Sequence, residues 1–257
     1  MTGGGAGDRV ALVTGATSGL GVEIARRLVA DGLRVVISGR SKERGEAVAA
    51  DLGAASRFVP ADLARSGAAQ ALVDDVLVVE GRLDVLVNNA AVAPGPDNVH
   101  RIGEVSYDDW QRTWRRMVDV DLLGAANVTY GVATHLIERG ATGAIVNVGS
   151  RGAYRGEPDY PAYGASKAAL HAFGQSMAVA LAPHGITVAS VAPGFVGTER
   201  QQAKLAGPEG AAVTAQSPFG RVGTPQEVAA AVIHLSSPEA AWSSGAVLDL
   251  NGASYLR

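Results

Sequence analysis

The chain has 257 residues, of which 47% are apolar and 18% are charged, and its formal net charge is −3. This composition is too apolar for a disordered chain, and the scattered basic residues give no sign of a nucleic-acid or anionic-membrane surface. A small-molecule partner is therefore expected. The chain contains no cysteine, which excludes disulfides and thiolate chemistry and fits a reducing compartment.

The chain shows no sign of export or of metal binding. The opening residues MTGGGAGDR contain no apolar run that could serve as a secretory signal, and no later segment is long and uncharged enough to span a bilayer. We expect a cytoplasmic protein with a flexible N-terminus at 1–8 and a single domain at 9–257. No metal is expected, because the histidines are far apart and never at ligand spacing: His100, His135, His171, His184 and His234.

Short β-branched runs alternate with helical stretches along the chain. Strands are predicted at 10–13, 34–38, 57–60, 85–88, 144–148, 187–191 and 247–250. Leu20, Ile24 and Leu28 recur at helical spacing after the first strand, and further helices are predicted at 66–80, 114–139 and 162–184. The alternation predicts an α/β fold: a Rossmann-type, doubly wound parallel sheet with helices on both faces.

Residue types typical of helix ends support this pattern. Thr224, Pro225 and Glu227 form a predicted capping box with proline at the first helical position. Gly32 and Gly185 follow predicted helices as C-caps. In doubly wound sheets, ligands bind beyond the carboxyl ends of the strands, so the residues that directly follow strands are the first candidates for a site.

A glycine-rich loop follows the first strand. Its glycines allow backbone to approach a pyrophosphate, and the helix that follows supplies free N–H groups and a partial positive charge. An ordinary glycine-rich turn is the alternative, but the position between strand and helix favours dinucleotide binding. The candidate contact residues are Gly15, Thr17, Ser18, Gly19, Leu20 and Gly21.

The second strand ends in Ser38-Gly39-Arg40-Ser41. An NAD enzyme usually has a carboxylate here for the ribose 2′-hydroxyl, whereas Arg40 offers paired donors to a 2′-phosphate. The sequence therefore favours NADP(H), with NAD(H) possible, and a solvated arginine is the alternative for Arg40. Asp62 and Leu63, after the third strand, are a candidate cap on the adenine, or else Asp62 only forms a turn.

Three polar clusters follow successive elements and should converge at one edge of the sheet. Tyr163 and Lys167 stand four residues apart, on one face of a predicted helix. Ser150 follows the strand at 144–148, and the segment Asn88-Asn89-Ala90-Ala91 closes the strand before it.

Taken with the Pro193 to Thr198 segment and the Arg221 to Pro225 run, these motifs make the chain resemble the short-chain dehydrogenase/reductase family, in its compact single-domain branch, over essentially its whole length. The resemblance implies reduction of a carbonyl to a secondary alcohol by hydride transfer from NADPH. Tyr163 would be the general acid, with its pKa lowered by Lys167 and by the oxidised nicotinamide. Ser150 would hydrogen-bond the substrate oxygen.

The resemblance also implies contacts with the cofactor. Tyr163 and Lys167 would lie at the nicotinamide ribose, Asn89 beside the cofactor, and Val196 and Thr198 at the carboxamide. One departure matters: the family has an asparagine of the proton relay seven residues after a tryptophan, and counting from Trp114 reaches Asp121. Asp121 can accept the same hydrogen bonds but cannot donate when ionised.

Two alternatives to a carbonyl reductase stay open at this stage. One is an NAD-linked secondary alcohol dehydrogenase, and the other is a catalytically weak nucleotide-binding regulator. A homodimer or homotetramer is expected, since the helices at 114–139 and 162–184 carry more apolar surface than one sheet face can cover.

The sequence leaves the substrate undefined. Stretches 151–160 and 195–219 should line the pocket, the second as a mobile lid with breaks at Gly207-Pro208 and Gly210. The polar side chains of the first stretch slightly favour an oxygenated or anionic substrate, and a solvated loop is the alternative.

Overall fold

Seven parallel strands form one sheet in the order β3-β2-β1-β4-β5-β6-β7. This computed structural model describes the backbone of residues 9–257, and their side chains except at positions 200, 203 and 204; the segment predicted to be flexible, 1–8, lies outside it. The strands are β1 (Val10–Thr14), β2 (Arg34–Gly39), β3 (Ser56–Pro60), β4 (Val85–Asn88), β5 (Gly143–Val148), β6 (Ile186–Pro193) and β7 (Val247–Leu250). Every predicted strand is confirmed to within two residues at each end.

Helices connect the strands and cover both faces of the sheet. They are α1 (Gly19–Ala30), α2 (Lys42–Leu52), α3 (Ala68–Glu80), α4 (Tyr107–Val118), α5 (Ala125–Glu138), α6 (Gly152–Arg155), α7 (Pro161–Leu181), α8 (Glu199–Ala206), α9 (Gly210–Thr214) and α10 (Pro225–Leu235). The α/β fold with a doubly wound, Rossmann-type parallel sheet is thus confirmed. No helix in the part of the chain that the structure describes is long and apolar enough to cross a membrane.

Alternate residues of each strand face opposite sides of the sheet and fill two apolar cores. Val13 of β1 packs in one core with Ile24 and Leu28 of α1. Its neighbour Leu12 packs in the other core, with residues of α3, α5 and α7. Burial on both faces explains why the central strands read as continuous apolar runs.

The strand order reverses at β1, which pairs with β2 on one side and with β4 on the other. The connections that follow β2 and β4 lie on opposite faces of the sheet. This leaves a crevice at the carboxyl ends of the strands. Both the glycine-rich loop after β1 and the asparagine segment after β4 open into this crevice. The topology therefore brings together the motifs that the sequence separates by about seventy residues.

Two long helices differ from their predicted form. The helix predicted at 114–139 starts earlier, at Tyr107, and is interrupted by a π-helical segment at Asp119–Gly124. The helix predicted at 162–184 ends at Leu181 and continues as a 3-10 turn, Ala182–His184. The capping box of Thr224 and Glu227 is confirmed at the start of α10.

Candidate active site

Ser150, Tyr163 and Lys167 meet at the carboxyl end of β5. The Ser150 hydroxyl hydrogen-bonds the Tyr163 phenol. The Lys167 ammonium lies 5.8 Å from the centroid of the Tyr163 ring. Because α7 places residues 163 and 167 one turn apart, phenol and ammonium face the same side, towards the turn that carries Ser150. The structure thus brings together the three residues that the sequence proposed.

Lys167 is buried and tied to the strand that precedes Ser150. Its Nζ donates to the carbonyl oxygen of Val148 over 2.9 Å. Burial lowers the pKa of Lys167, and the nearby Asp121 raises it. The ammonium is therefore held between a strand carbonyl and a buried carboxyl group.

Tyr163 is a neutral phenol in this environment. Burial raises its pKa above the ordinary value, the hydrogen bond from Ser150 lowers it, and the charges of Asp121 and Glu157 raise it further. In the chain by itself the cost of burying a phenolate dominates, and the lowering expected from Lys167 together with the oxidised nicotinamide stays a prediction. A neutral phenol is the form that can donate a proton.

Asp121 lies within the π-helical segment and is fully buried. Its Oδ1 accepts a hydrogen bond from the N–H of Val92 over 2.7 Å. Its Oδ2 is buried and has no partner among the described residues. Burial raises the pKa of Asp121 to about 6, against the lowering effects of Lys167 and the Val92 N–H. This carboxyl group therefore changes charge close to neutral pH, beside Lys167.

The turn from Gly149 to Gly152 is held in place by close contacts. Ser150 Oγ accepts from the N–H of Gly152 over 3.0 Å. A side chain at Gly149 would place its Cβ only 1.7 Å from Nε2 of His171, so only glycine fits there. Burial lowers the pKa of His171 to about 4, helped by the charges of Lys167 and Arg257. A neutral imidazole thus packs directly behind the turn that carries Ser150.

His171 was expected to be structural or solvent-facing, because it stands at no metal-ligand spacing. Its Nδ1 is 2.9 Å from the phenol oxygen of Tyr154, and the two rings stack at 5.2 Å. The only available signal was the spacing of His171 four residues after Lys167, which places it on the same face of α7.

Polar side chains of the stretch at 151–160 form hydrogen bonds and ion pairs with other residues of the chain. Arg151 donates to Gln216 and Ser254, and Asp159 pairs with Arg101. These contacts leave the expectation of an oxygenated or anionic substrate without support. The breaks predicted within 195–219 are present, since α8 ends at Ala206 and α9 begins at Gly210.

A cavity of about 280 Å³ lies between this stretch and the segment predicted to be a lid. Its lining includes Arg151, Phe195, Gln216 and Phe219 but not Ser150 or Tyr163. The cavity is therefore lined mainly by this segment and by residues 249–254, and not by Ser150 or Tyr163.

The loop after β1 has the form of a cradle for phosphates. Gly19 adopts a left-handed backbone with φ of +60°, and Ser18 makes no side-chain hydrogen bond to the start of α1 within the described residues. The N–H groups at this helix end are thus not used by a cap and suit a pyrophosphate. A Cβ at Gly15 would lie 2.6 Å from Cα of Ala90, so this glycine permits close packing of the loop on β4.

The side chain of Asn89 hydrogen-bonds the backbone of the loop after β1. Its amide nitrogen donates to the carbonyl oxygens of Thr14 and Gly15, over 2.9 and 3.0 Å. A Cβ at Gly21 would lie 2.5 Å from that same nitrogen. Asn89 therefore fixes the backbone of the loop, and its side-chain donors are already used.

Arg40 lies at the carboxyl end of β2, exposed and without a hydrogen bond or ion pair in the described part of the chain. A Cβ at Gly39 would lie 2.6 Å from Cγ2 of Thr17, so a larger residue at this position would require the Thr17 side chain to move. The end of β2 thus offers the guanidinium of Arg40 and no carboxylate for a ribose 2′-hydroxyl. These residues fit a 2′-phosphorylated dinucleotide.

The remaining candidates surround the same crevice. Asp62 Oδ1 accepts a hydrogen bond from the N–H of Ala64 over 3.3 Å. This contact agrees with the alternative in which Asp62 forms a turn. Leu63 lies against the backbone of the π-helical segment, where a Cβ at Gly124 would be 2.8 Å from its own Cβ. Val196 pairs with Gly223, and the Thr198 side chain faces Gly19. Of the remaining loop residues, Thr17 precedes α1 and Leu20 lies in its first turn.

Comparisons with known proteins agree with this geometry. The sequence profile described as short chain dehydrogenase matches residues 9–209. The chain is 34% identical over 254 residues to 3beta-hydroxysteroid dehydrogenase 1 of Eggerthella lenta, covering 96% of this chain and 94% of that protein. It is 32% identical over 248 residues to the 3-oxoacyl-acyl-carrier-protein reductase of Salmonella typhimurium, covering 96% and 98%.

A similar solved structure is that of a short-chain type dehydrogenase/reductase from Mycobacterium ulcerans. It has a TM-score of 0.88 and 30% sequence identity, and the match covers 96% of this chain and 90% of that one.

Proposed function

The chain belongs to the short-chain dehydrogenase/reductase family, and from that premise we propose that it reduces a carbonyl group to a secondary alcohol with NADPH. Membership makes it an NAD(P)-dependent oxidoreductase that acts on carbonyl or alcohol groups of a small molecule. The observation that carries the proposal is the meeting of Tyr163 with Ser150 and Lys167 at the carboxyl end of β5, where the phenol is hydrogen-bonded to Ser150. The raised pKa keeps Tyr163 protonated at neutral pH, which is the form that reduction requires.

The chemistry follows from the positions of the three side chains. NADPH, when bound, supplies the hydride. Ser150 donates a hydrogen bond to the substrate oxygen and stabilises the negative charge that develops on it. Tyr163 gives its proton to that oxygen, which completes the alcohol. Lys167 lies one turn along α7 and would hold the hydroxyls of the nicotinamide ribose, so that substrate and cofactor meet in one geometry.

Asp121 would take part in returning a proton to Tyr163. Its unpartnered Oδ2 is buried near Lys167, and its Oδ1 is fixed by Val92. A water held by this carboxyl oxygen could pass a proton towards Lys167 and so to the phenol. A carboxyl group with a pKa of about 6 can accept that proton or give it up near neutral pH, whereas an amide cannot.

The preference for NADPH rests on Arg40 and Gly39. The exposed guanidinium of Arg40 can form a paired, charge-assisted contact with the 2′-phosphate. Gly39, next to Arg40, carries no carboxylate that would repel that phosphate.

A second candidate is the reverse reaction, oxidation of a secondary alcohol. It is favoured by the similarity to the Eggerthella lenta protein, whose name describes a hydroxysteroid dehydrogenase. The regulator hypothesis has no such support, because Ser150, Tyr163 and Lys167 are all present and in contact. A cytoplasmic location stays a prediction from the cysteine-free composition.

We also propose a homodimer or homotetramer built on α5 and α7. Both helices expose large apolar side chains, with Tyr130 at 70% and Val179 at 79% exposure. Side chains of this size are better covered by a second copy than left in water.

The proposal is tested by incubating the protein with deuterium-labelled NADPH and a panel of ketones and analysing the alcohols by mass spectrometry. The expected result is one deuterium on the carbinol carbon of at least one product. The Ser150→Ala variant is the matched control for contaminating reductases and should form little of that product. Equal labelling by wild type and Ser150→Ala would contradict the proposal.

A further inference from the structure

His100 lies in the segment before α4 and is buried, with 1% of its surface exposed. Both ring nitrogens are used. Nε2 accepts from the backbone N–H of Ala162 over 3.0 Å, and Nδ1 lies 2.8 Å from the carbonyl oxygen of Asn98. The backbone N–H of His100 also donates to the carbonyl oxygen of Asp159 over 3.0 Å. His100 thus contacts the chain on both sides of the point where α7 begins.

The partners of the ring define its tautomer. A backbone N–H can only donate, so Nε2 carries no proton, and a carbonyl can only accept, so Nδ1 carries one. Aromatic contacts fix the ring plane, with centroids 5.7 Å from Trp110 and 6.4 Å from Tyr160. The ring therefore presents a fixed acceptor to the start of the catalytic helix.

The bond from Ala162 is unusual because it caps the helix from a distant segment. The first N–H groups of a helix have no acceptor within the helix, and a side chain at the N-cap usually supplies one. Here the N-cap residue is Tyr160, whose side chain makes no cap hydrogen bond, and Pro161 has no N–H. The acceptor for Ala162 comes instead from His100, 62 residues earlier in the chain.

We propose that His100 is a positioning residue for Tyr163, an inference that rests on the proposed role of Tyr163 as proton donor. Tyr163 directly follows Ala162, so the bond to Nε2 fixes the Pro161–Ala162 peptide unit, one residue before the tyrosine. Without it Ala162 has no acceptor, and the first turn of α7 is held only by the bonds from the N–H groups of Tyr163 and Gly164 to the carbonyl oxygen of Tyr160. The phenol then shifts relative to Ser150. A displacement of about 1 Å at a reacting group can lower the rate by as much as a hundredfold.

Two variants of similar size separate the capping bond from simple filling of space. His100→Gln can place its amide oxygen where Nε2 stands and keep an acceptor for Ala162. His100→Asn can place its amide nitrogen where Nδ1 stands and keep the bond to Asn98, but it leaves Ala162 without an acceptor. The exposed His234 provides the control variant, His234→Asn.

The measurements are kcat and KM for NADPH-dependent ketone reduction, together with hydrogen exchange at the Ala162 amide. His100→Asn should lower kcat by about tenfold, leave KM for NADPH within about twofold, and speed exchange at Ala162. His100→Gln and His234→Asn should stay close to wild type in all three.

Equal loss of kcat in both His100 variants would overturn the proposal in favour of ring packing. So would fast exchange at Ala162 in His100→Asn with an unchanged kcat, or an Ala162 amide that is unprotected in the wild type. Exchange is measured without substrate. A wild type that reduces no ketone while its Ala162 amide is protected would therefore refute the proposed function separately from the capping bond.

Discussion

Arg40 is the residue on which the proposed preference for NADPH rests. Its replacement by aspartate removes the guanidinium that we propose for the 2′-phosphate and adds a carboxylate that can accept from a 2′-hydroxyl. We expect the wild type to bind NADPH at least about tenfold more tightly than NADH, a difference of about 1.4 kcal/mol. Arg40→Asp should reverse that order. The Kd values can be measured by fluorescence titration of the reduced cofactors.

Arg44 supplies the control for Arg40. It is also an exposed arginine and lies four residues further along the chain, in α2. Arg44→Asp makes the same change in net charge but should leave the ratio of the two Kd values nearly unchanged. An unaltered preference in Arg40→Asp, or an equal change in both variants, would show that Arg40 does not contact the 2′-phosphate.

The charge of Asp121 should affect the pH dependence of kcat. Ionised Asp121 raises the pKa of Tyr163, so Asp121→Asn should shift to lower pH both the fall of the reduction rate and the rise of the oxidation rate with increasing pH. The wild-type profile should also show an inflection near pH 6, where Asp121 takes up a proton, and Asp121→Asn should lack it. These shifts are read from kcat measured across the pH range.

Asp121→Ala tests the relay itself. Loss of the carboxyl oxygens should lower kcat by about tenfold while NADPH affinity changes little. If this variant keeps wild-type turnover and the wild-type pH profile, Asp121 has only a structural role.

The residues with chemical roles were easier to predict than those that support them. Tyr163, Lys167 and Ser150 stand in recognisable motifs that follow strands or lie on one helix face. His100 and His171 carry no such signal, because their partners lie far away along the chain or are backbone groups. Only folding shows that His100 faces Ala162 and that His171 packs behind Gly149.

At the scale of elements, Asp84 connects the start of β1, the segment before β4 and the end of α5. It lies just before β4, accepts from the N–H of Val10 at the start of β1, and pairs with Arg82 and with Arg139 at the end of α5. Burial opposes ionisation, but the bonds from Arg82 and Val10 and the charge of Arg139 bring the pKa of Asp84 below its usual value. The ionised carboxylate is therefore stabilising.

Asp84→Asn should lower the free energy of unfolding by roughly 2–4 kcal/mol at neutral pH, since it leaves a partly buried arginine without its partner. A group with a lowered pKa stabilises the fold above its unfolded pKa and loses that effect as pH falls through the folded pKa. The difference between wild type and variant should therefore be full above about pH 5 and disappear in stronger acid. Urea unfolding at several pH values measures it.

The matched control is Asp51→Asn, which removes a carboxylate from an exposed pair with Arg26. Its effect should stay below about 0.5 kcal/mol. An Asp84→Asn variant no less stable than Asp51→Asn would show that the bond between β1 and β4 contributes little.

Elements with strong periodicity were predicted well, and their interruptions were not. The central strands are continuous apolar runs between turn residues, so their ends fall within two residues of the prediction. The π-helical segment at Asp119–Gly124 has no local signal, because Asp-Val-Asp-Leu-Leu-Gly suits an ordinary helix. It is accommodated by tertiary contacts, namely the bond of Asp121 to Val92 and the packing of Gly124 on Leu63.

At the scale of the whole molecule, the two cores share a single sheet, which favours unfolding as one unit. We predict that residues 9–257 form one domain and that thermal unfolding at low protein concentration gives coincident transitions by circular dichroism and tryptophan fluorescence. Two separated transitions would indicate more than one domain.

The assembly is predicted to depend on the exposed faces of α5 and α7. Val179→Glu should convert the oligomer into a smaller species, because it places a charge on a surface that would be buried between subunits. Val78 on α3 is just as exposed, at 84%, and Val78→Glu serves as the control. Light scattering at micromolar concentration reports the mass. A monomeric wild type, or equal dissociation by both variants, would refute this interface.

The central claim is that Tyr163 donates the proton during carbonyl reduction. Its most direct test is kcat for ketone reduction by NADPH in wild type, Tyr163→Phe and the exposed control Tyr107→Phe, with the NADPH Kd measured for each. We predict that Tyr163→Phe loses at least about a hundredfold in kcat while its Kd stays within about threefold of wild type, and that Tyr107→Phe changes neither. A Tyr163→Phe variant that retains wild-type kcat would contradict the claim.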